Sequence, residues 1–184
     1  MDRFGRIFLT GMPGSGKTVV GRFLAKIMQL SFIDLDLVIA EKAGMDINRI
    51  FAELGEEQFR QMEAEWLREA GNPELEFVLA TGGGAPCFHE NMQYMNAIGV
   101  TVFLDVPLDE LCWRLIGRGT SKRPLLRDLS DEEVRVELHQ KYEQRQVFYR
   151  QAQIHVIHSG DVSPLQRARD IEQALGQLKE ISKT

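Results

Sequence analysis

Five short apolar runs, separated by amphipathic stretches, recur along the chain. They are rich in β-branched and aromatic residues and predict buried strands over 6–10, 31–35, 76–80, 99–104 and 153–157. The stretches between them carry apolar residues at helical spacing. Because parallel neighbours in a sheet need crossover connections, strands that alternate with helices indicate a parallel sheet. We therefore expect an α/β fold of three layers, in which a five-stranded parallel sheet is flanked by helices.

Local sequence signals give approximate bounds for the helices. Ser130 and Glu133 form a capping box, while Pro107 and Pro164 stand where the first turn of a helix tolerates proline. The predicted helices cover about 19–27, 37–43, 47–54, 56–70, 107–118, 131–149 and a closing segment from 163.

Composition narrows the class of protein. The chain has 184 residues, 43% of them hydrophobic, and a net charge of −5, so we expect residues 1–184 to form one domain. An acidic chain lacks the dense basic surface that binds nucleic acids and anionic membranes. No apolar run approaches the roughly 18 residues of a membrane span. Cys87 and Cys112 have neither disulfide nor zinc spacing. We expect a cytoplasmic monomer without nucleic-acid or membrane partners.

A phosphate-binding motif follows the first predicted strand. Residues 11–18 read GMPGSGKT and match G-x-x-x-x-G-K-[ST] between a strand and a helix. Glycines let consecutive backbone N–H groups turn toward a phosphate, and the helix N-terminus adds partial positive charge. Lys17 would reach the β- and γ-phosphates, and Thr18 would offer its hydroxyl to Mg²⁺. A chance glycine-rich turn is the alternative, and the correct flanking elements disfavour it.

Two carboxylates, Asp34 and Asp36, lie at the end of the second predicted strand. If the strand persists that far, side-chain alternation places both on one face. One could then anchor the water shell of a metal, and the other could accept a proton from an attacking hydroxyl. An aspartate pair alone is more often a loop or helix-cap feature, but a P-loop nearby favours the chemical interpretation.

Two further loops suit the binding of phosphorylated ligands. Residues 81–84, TGGG, follow the third predicted strand and would let the backbone approach a small substrate, although a flexible turn is the alternative. Residues 114–127 hold five positive side chains and no negative one. We predict a mobile lid there that closes over ATP and brings Arg123 to the transferring phosphate, in preference to a solvated basic loop.

Two arginines allow either a structural or a functional interpretation. Arg60 and Arg145 each resemble a surface residue that forms an ion pair along its own helix. Two planar guanidinium groups also suit bidentate recognition of a carboxylate, which a substrate would have to supply.

These features together resemble the shikimate kinase family, and the similarity covers nearly the whole chain. Beyond the P-loop no single motif decides the matter, but their order and spacing are specific. The matching parts are residues 11–18, 32–36, 50–51, 55–56, 59–63, 81–84 and 123–126, together with Arg145 and Tyr149.

The resemblance implies a nucleoside-monophosphate-kinase-like P-loop fold with substrate-binding helices at about 37–70. It also implies transfer of the γ-phosphate of ATP to the 3-hydroxyl of shikimate, in the pathway to chorismate and aromatic amino acids. The implied ligands are ATP, shikimate and one Mg²⁺ ion. The implied ATP-binding residues are Gly14, Ser15, Gly16, Lys17, Thr18, Val19 and Arg123.

The same resemblance assigns the other site residues. Thr18 would bind the metal directly and Asp34 through water, and Glu63 would orient Arg60. An arginine beside the adenine would be Arg114 or Arg118. The implied catalytic residues are Asp36 as base, Lys17 and Arg123, and the implied shikimate-binding residues are Asp36, Arg60, Gly83 and Arg145.

Two other functions stay open on the sequence alone. One is a kinase for another small acceptor, such as gluconate or a nucleoside monophosphate. The other is a regulatory protein that binds nucleotide without transferring phosphate. The two separated arginines and Asp36 favour a polyhydroxylated acid over a nucleobase.

Overall fold

A five-stranded parallel sheet forms the centre of the structure. The computed structural model describes residues 3–72, 74–117, 129–157, 160 and 162–182. The strand order is β2-β3-β1-β4-β5, and every neighbouring pair is parallel, which confirms the predicted α/β fold. The strands are β1 Arg6–Thr10, β2 Ser31–Asp34, β3 Phe77–Ala80, β4 Val100–Asp105 and β5 Ile154–Ile157.

Eight α-helices connect and flank these strands within the described residues. Seven match predicted segments to within a few residues, and the capping box at Ser130 is present. The helices are α1 Lys17–Met28, α2 Leu35–Ala43, α3 Ile47–Glu53, α4 Gly55–Glu69, α5 Asn91–Ile98, α6 Leu108–Gly117, α7 Asp131–Tyr149 and α8 Pro164–Ile181.

The sequence analysis missed α5. Its N-cap residue, Glu90, has a positive φ of 56° and makes no side-chain cap hydrogen bond. The usual start signals, an Asn, Asp, Ser or Thr cap with a glutamate three residues later, are therefore absent. The helix is specified instead by tertiary packing, because Met92 and Met95 are fully buried in the core.

Side-chain alternation divides the core into two layers. On β1, Ile7 and Leu9 pack in a cluster with side chains of α1 and α8. Phe8, between them, points to the other face and packs in a cluster with side chains of α2 to α7. The sheet thus lies between two helical layers, as predicted.

The strand order gathers three loops at one edge of the sheet. β1 lies between β3 and β4, and the register pairs Ala80 of β3 with both Leu9 of β1 and Asp34 of β2. The carboxyl ends of these three strands are therefore level. Open parallel sheets bind ligands at this edge. The P-loop, the aspartate pair and the glycine loop 81–84 all begin there.

The predicted lid falls only partly within the described residues. Residues 114–117, assigned to the lid, are the last four residues of α6, in agreement with the helix predicted over about 107–118, and the lid itself stays a prediction. Residues 118–127, including Arg118 and Arg123, lie outside the described part of the chain. Cys87 and Cys112 are free thiols. Across the described residues, no helix combines the length and the apolar character needed to span a bilayer.

Gly99, between α5 and β4, is a position where the fold has no room for a side chain. A methyl group there would overlap the backbone oxygen of Arg6 and lie 2.7 Å from the ring of Phe8. We expect Gly99→Ala to lower the free energy of unfolding by about 1–3 kcal/mol, measured by urea titration. Gly176→Ala is the control, because nothing lies within 4 Å of its new methyl group. It should leave stability unchanged or raise it by about 0.5–1 kcal/mol. Equal effects of the two substitutions would contradict the packing argument.

Candidate active site

The P-loop forms a small pocket between β1 and α1. Gly14 and Gly16 have φ values of 88° and 96°, a left-handed backbone that glycine adopts readily. The Lys17 ammonium donates hydrogen bonds to the carbonyl oxygens of Gly11 (2.8 Å) and Met12 (3.0 Å). The pocket has a volume of about 210 Å³ and is lined by Pro13, Gly14, Gly16, Lys17, Thr18, Val19, Asp34, Asp36, Thr81, Gly82 and Gly83.

Both aspartates reach this pocket, but by a different route from the one predicted. β2 ends at Asp34, and α2 begins at Leu35, whose side chain is fully buried. Strand alternation therefore does not apply to the pair, because the strand does not persist to Asp36 as that argument required. Asp34 lies at the strand end, whereas Asp36 projects from the first turn of α2. The change from strand to helix still leaves both carboxylates lining the phosphate pocket.

The donor set beside the P-loop suits a magnesium ion. The Thr18 hydroxyl donates a 2.8 Å hydrogen bond to Asp34 Oδ2, so an alcohol and a carboxylate stand together at the pocket. Mg²⁺ keeps several waters and commonly takes few protein ligands besides substrate phosphates. The described residues contain no cluster of three His, Cys, Asp or Glu that would hold a metal by itself. An ion here would need nucleotide oxygens and water to complete its shell.

An ion pair lies beneath the loop 81–84. Arg60, only 3% exposed, donates from Nη1 to Glu63 Oε2 at 2.6 Å and from Nη2 to Glu56 Oε1 at 2.7 Å. Glu63 is fully buried, whereas the Glu56 side chain is 44% exposed. The guanidinium carbon also lies 4.7 Å from the centre of the Phe88 ring. The predicted neighbour relation between Glu63 and Arg60 is thus present.

The second oxygen of Glu63 faces the glycine loop. Glu63 Oε1 has no hydrogen-bond partner among the described residues. A methyl group on Gly82 would lie 2.5 Å from this oxygen and 2.9 Å from Asp36 Oδ1, so both carboxylates face Gly82. Burial raises the pKa of Glu63 to about 7, and the charge of Asp36 adds to the rise. Arg60 and Arg145 oppose that rise in the pKa.

Arg145 reaches the same region from the last turns of α7. It is 9% exposed, and Tyr149, one turn later, is fully buried with its ring stacked on Phe103 at 5.1 Å. The Tyr149 hydroxyl donates to the carbonyl oxygen of Gly83, which ties α7 to the glycine loop. Burial raises the pKa of Tyr149 above its usual range, so the phenol keeps its proton.

A second, larger pocket lies between α4 and α7. Its volume is about 620 Å³, and Arg60 and Arg145 both line it. Burial raises the pKa of the Cys87 thiol, which also lines it, to about 11, so this group is uncharged at neutral pH. The lining residues are Glu56, Glu57, Arg60, Cys87, Phe88, Glu137, Gln140, Lys141, Gln144, Arg145 and Phe148.

Known proteins resemble this chain over most of its length. Residues 13–176 match the family model for shikimate kinase. A shikimate kinase from Bacteroides fragilis is 43% identical over 176 residues, which covers 96% of this chain and 95% of the relative. The chain belongs to the shikimate kinase family.

Solved structures agree with this membership of the shikimate kinase family. The shikimate kinase of Acinetobacter baumannii in complex with shikimate superposes with a TM-score of 0.87 at 32% identity, and the alignment covers 96% of this chain and 95% of that one. The enzyme of Bacteroides thetaiotaomicron gives a TM-score of 0.77 at 40% identity, covering 97% and 98%. A gluconokinase from Sinorhizobium meliloti is 15% identical at a TM-score of 0.63 and shares the fold alone.

The structure brings most residues implied by the shikimate kinase resemblance into two adjoining pockets. Sequence reasoning missed several neighbours of Arg60. Glu56 precedes Arg60 by four residues and is a partner of the kind that the sequence analysis allowed for along this helix without naming it. No local sequence signal links Phe88 and Cys87 to Arg60, because contacts between distant parts of the chain bring them to the pocket. Arg123 lies outside the described residues. The residues implied by the resemblance that line one pocket or the other are Gly14, Gly16, Lys17, Thr18, Val19, Asp34, Asp36, Arg60, Gly83 and Arg145.

The buried carboxyl group of Glu63 makes stability depend on pH. Its folded-state pKa, about 7, exceeds the ordinary value of 4.5, so the folded protein holds this proton more tightly than the unfolded chain. The resulting stabilisation is full below pH 4.5 and is lost as pH rises through about 7. Glu63→Gln cannot titrate, and we expect the wild type to lose on the order of 3 kcal/mol relative to it across this range.

Urea titrations of both proteins at several pH values measure this difference. Glu56→Gln is the matched control. It removes the other carboxylate that contacts Arg60, and the Glu56 side chain is 44% exposed to solvent. That variant should keep the pH dependence of the wild type. A Glu63→Gln protein with the same pH dependence as the wild type would refute the assignment of the proton to Glu63.

Proposed function

We propose that this protein transfers the γ-phosphate of ATP to the 3-hydroxyl of shikimate, giving 3-phosphoshikimate and ADP. Membership of the shikimate kinase family supports this proposal. The observation that carries it is the position of the loop 81–84. On one side, Gly82 and Gly83 line the phosphate pocket; on the other, they contact Glu63 and Tyr149 beside the two arginines. A phosphate donor and an anionic acceptor can therefore meet at this loop.

ATP would bind in the P-loop pocket. Backbone N–H groups of Gly14, Ser15 and Gly16 and the N-terminus of α1 would surround the phosphates. The Lys17 ammonium, now held by two carbonyl oxygens, would turn to the β- and γ-phosphates. Val19, the next residue of α1 after Thr18, lines the same pocket.

Thr18 and Asp34 are the residues that would hold Mg²⁺, the first directly and the second through water. The chemistry that the ion would supply is neutralisation of the negative charge that develops on the transferred phosphoryl group. The Thr18–Asp34 hydrogen bond supports this pairing, because it already places the hydroxyl and the carboxylate together.

Asp36 is the proposed base. Its carboxylate would accept the proton of the shikimate 3-hydroxyl while that oxygen forms a bond to the γ-phosphorus. The bond from this phosphorus to the oxygen it shares with the β-phosphate breaks, and ADP leaves with that electron pair. Most of the acceleration in such reactions comes from positioning and charge neutralisation, to which Lys17 and Arg123 would contribute.

Arg60 and Arg145 would bind the shikimate carboxylate. Both guanidinium groups line the larger pocket and are almost fully buried, where a charged hydrogen bond counts for more than in water. Glu63 keeps Arg60 in place through a 2.6 Å contact. Gly83 would add a backbone contact to the substrate.

We also propose a cytoplasmic monomer, in keeping with the free thiols of Cys87 and Cys112.

A coupled assay of ADP release tests the function. Shikimate should support turnover at least a hundredfold faster than gluconate or nucleoside monophosphates at equal concentration, because only shikimate presents both the carboxylate and the hydroxyl correctly. ADP release without an acceptor measures background ATPase activity. If ATP binds but shikimate stimulates no turnover, the proposed function is wrong and a nucleotide-binding regulator becomes the better explanation.

Asp36→Asn tests the proposed base. We expect kcat to fall by a factor on the order of a hundred or more, because an amide cannot accept the hydroxyl proton. Calorimetric binding of a non-hydrolysable ATP analogue should survive. Asp109→Asn, which changes an aspartate on α6 outside both pockets, is the control and should keep its turnover. Wild-type kcat in Asp36→Asn would refute the role.

Arg145→Ala tests the carboxylate contact. The KM for shikimate should rise about ten- to a hundredfold, while the KM for ATP stays within twofold, because a charged hydrogen bond contributes roughly 1.5–3 kcal/mol. The matched control is Arg150→Ala, which removes an exposed cation just after the same helix. Shikimate methyl ester provides a second check: the variant should discriminate against it less than the wild type does. An unchanged KM for shikimate would count against the assignment.

A further inference from the structure

A second group of charged side chains lies beside the P-loop, away from the shikimate pocket. Glu110 and Arg114 form an ion pair one turn apart on α6. Arg167 of α8 approaches the same carboxylate, with Nη2 at 3.7 Å from Glu110 Oε1. Two guanidinium groups therefore share one carboxylate, and the three side chains together carry one net positive charge.

This charge cluster, defined as Glu110, Arg114 and Arg167, joins three parts of the chain. Arg167 is 4% exposed and donates to the carbonyl oxygens of Val162 (3.2 Å) and Gly160 (3.4 Å). The Gly160 N–H in turn donates to Glu110 Oε2 at 3.3 Å. The cluster thus joins α6 and α8 to each other and to Gly160 and Val162, which precede α8.

The cluster also contacts the phosphate-binding loop itself. Arg114 Nη1 donates a 3.1 Å hydrogen bond to the carbonyl oxygen of Gly14. α6 packs closely there, because a methyl group on Gly14 would lie 3.2 Å from Leu115 and 3.6 Å from Leu111. The position of Arg114 is therefore coupled to the conformation of the loop that would hold the phosphates.

Arg167 is poorly placed for a purely structural residue. Burial and the neighbouring charge of Arg114 both lower its pKa, so the cation is held at an energetic cost. An apolar side chain of similar length would fill the same space without that cost, at the loss of the two long hydrogen bonds to the carbonyl oxygens of Val162 and Gly160. The excess positive charge beside Gly14 instead suits a bound anion, and the P-loop is where a nucleotide brings its phosphates.

We propose that Arg167 is a positioning residue for nucleotide binding, acting through Glu110 and Arg114. By sharing Glu110, it keeps the carboxylate from fully neutralising Arg114, and it fixes α6 against the P-loop. The ligand that benefits is a nucleoside triphosphate. The inference rests on the proposed function only in taking this nucleotide to be ATP.

Arg167→Met tests the proposal, because methionine keeps the buried stem and removes the charge. We expect KM for ATP, and Kd for a non-hydrolysable analogue measured by calorimetry without shikimate, to rise about five- to tenfold. KM for shikimate and kcat at saturating ATP should stay within twofold. The Kd of the wild type should also rise with salt concentration more steeply than that of the variant. Arg169→Met, an exposed arginine on the same helix, is the matched control and should bind nucleotide like the wild type.

A purely structural role gives a different result. It would lower the midpoint of thermal unfolding and leave nucleotide Kd within twofold of the wild type, which would overturn the proposal. If Arg167→Met does not fold, Arg167→Lys serves instead, since it keeps the charge but loses the guanidinium fork. An increase of about two- to threefold in Kd supports positioning, and no increase contradicts it. Failure of the shikimate assay would leave this binding test intact, so the two proposals fail separately.

Discussion

The buried ion pair between Arg60 and Glu63 is the interaction on which the rest of the site depends. Neither side chain has appreciable exposure, so removing Arg60 would leave the Glu63 carboxyl group in the core without the cation paired with it, and breaking a buried ion pair costs about 3–5 kcal/mol. The glycines above it follow from this constraint. A methyl group on Gly84 would lie 2.6 Å from the Arg60 guanidinium, and one on Gly82 would meet Glu63. The backbone after β3 can lie on the pair only because it carries no side chains there.

The pair also explains how one loop serves two pockets. Arg60 faces the larger pocket with Arg145, whereas Glu63 turns its second oxygen toward Gly82 and Asp36 at the phosphate side. The proposed contact of Arg60 with the shikimate carboxylate and the proposed base, Asp36, are thus linked through one buried glutamate, Glu63. Overall charge conceals this arrangement. A net charge of −5 argues against polyanionic partners, yet local cations converge where small anions would bind.

Sequence reasoning succeeded where local rules decide the structure. The P-loop motif, the strand β1 and the capping box at Ser130 each depend on neighbours in the chain, and the structure has all three. It failed where tertiary contacts decide. Alternation of Asp34 and Asp36 onto one face required the strand to persist to Asp36, and that condition is not met because the chain enters α2 at Leu35, a residue that the core buries. No local pattern indicated that Arg167, far along the chain, would lie beside Glu110 and near the P-loop.

The most direct test of this account is a crystal structure of the protein with ADP, Mg²⁺ and shikimate bound. We predict the shikimate carboxylate between the Arg60 and Arg145 guanidinium groups, with the 3-hydroxyl within hydrogen-bond distance of Asp36 and directed toward the P-loop. Glu63 should remain paired with Arg60. A shikimate molecule whose carboxylate lies away from both arginines, or whose 3-hydroxyl lies out of reach of Asp36, would contradict the account.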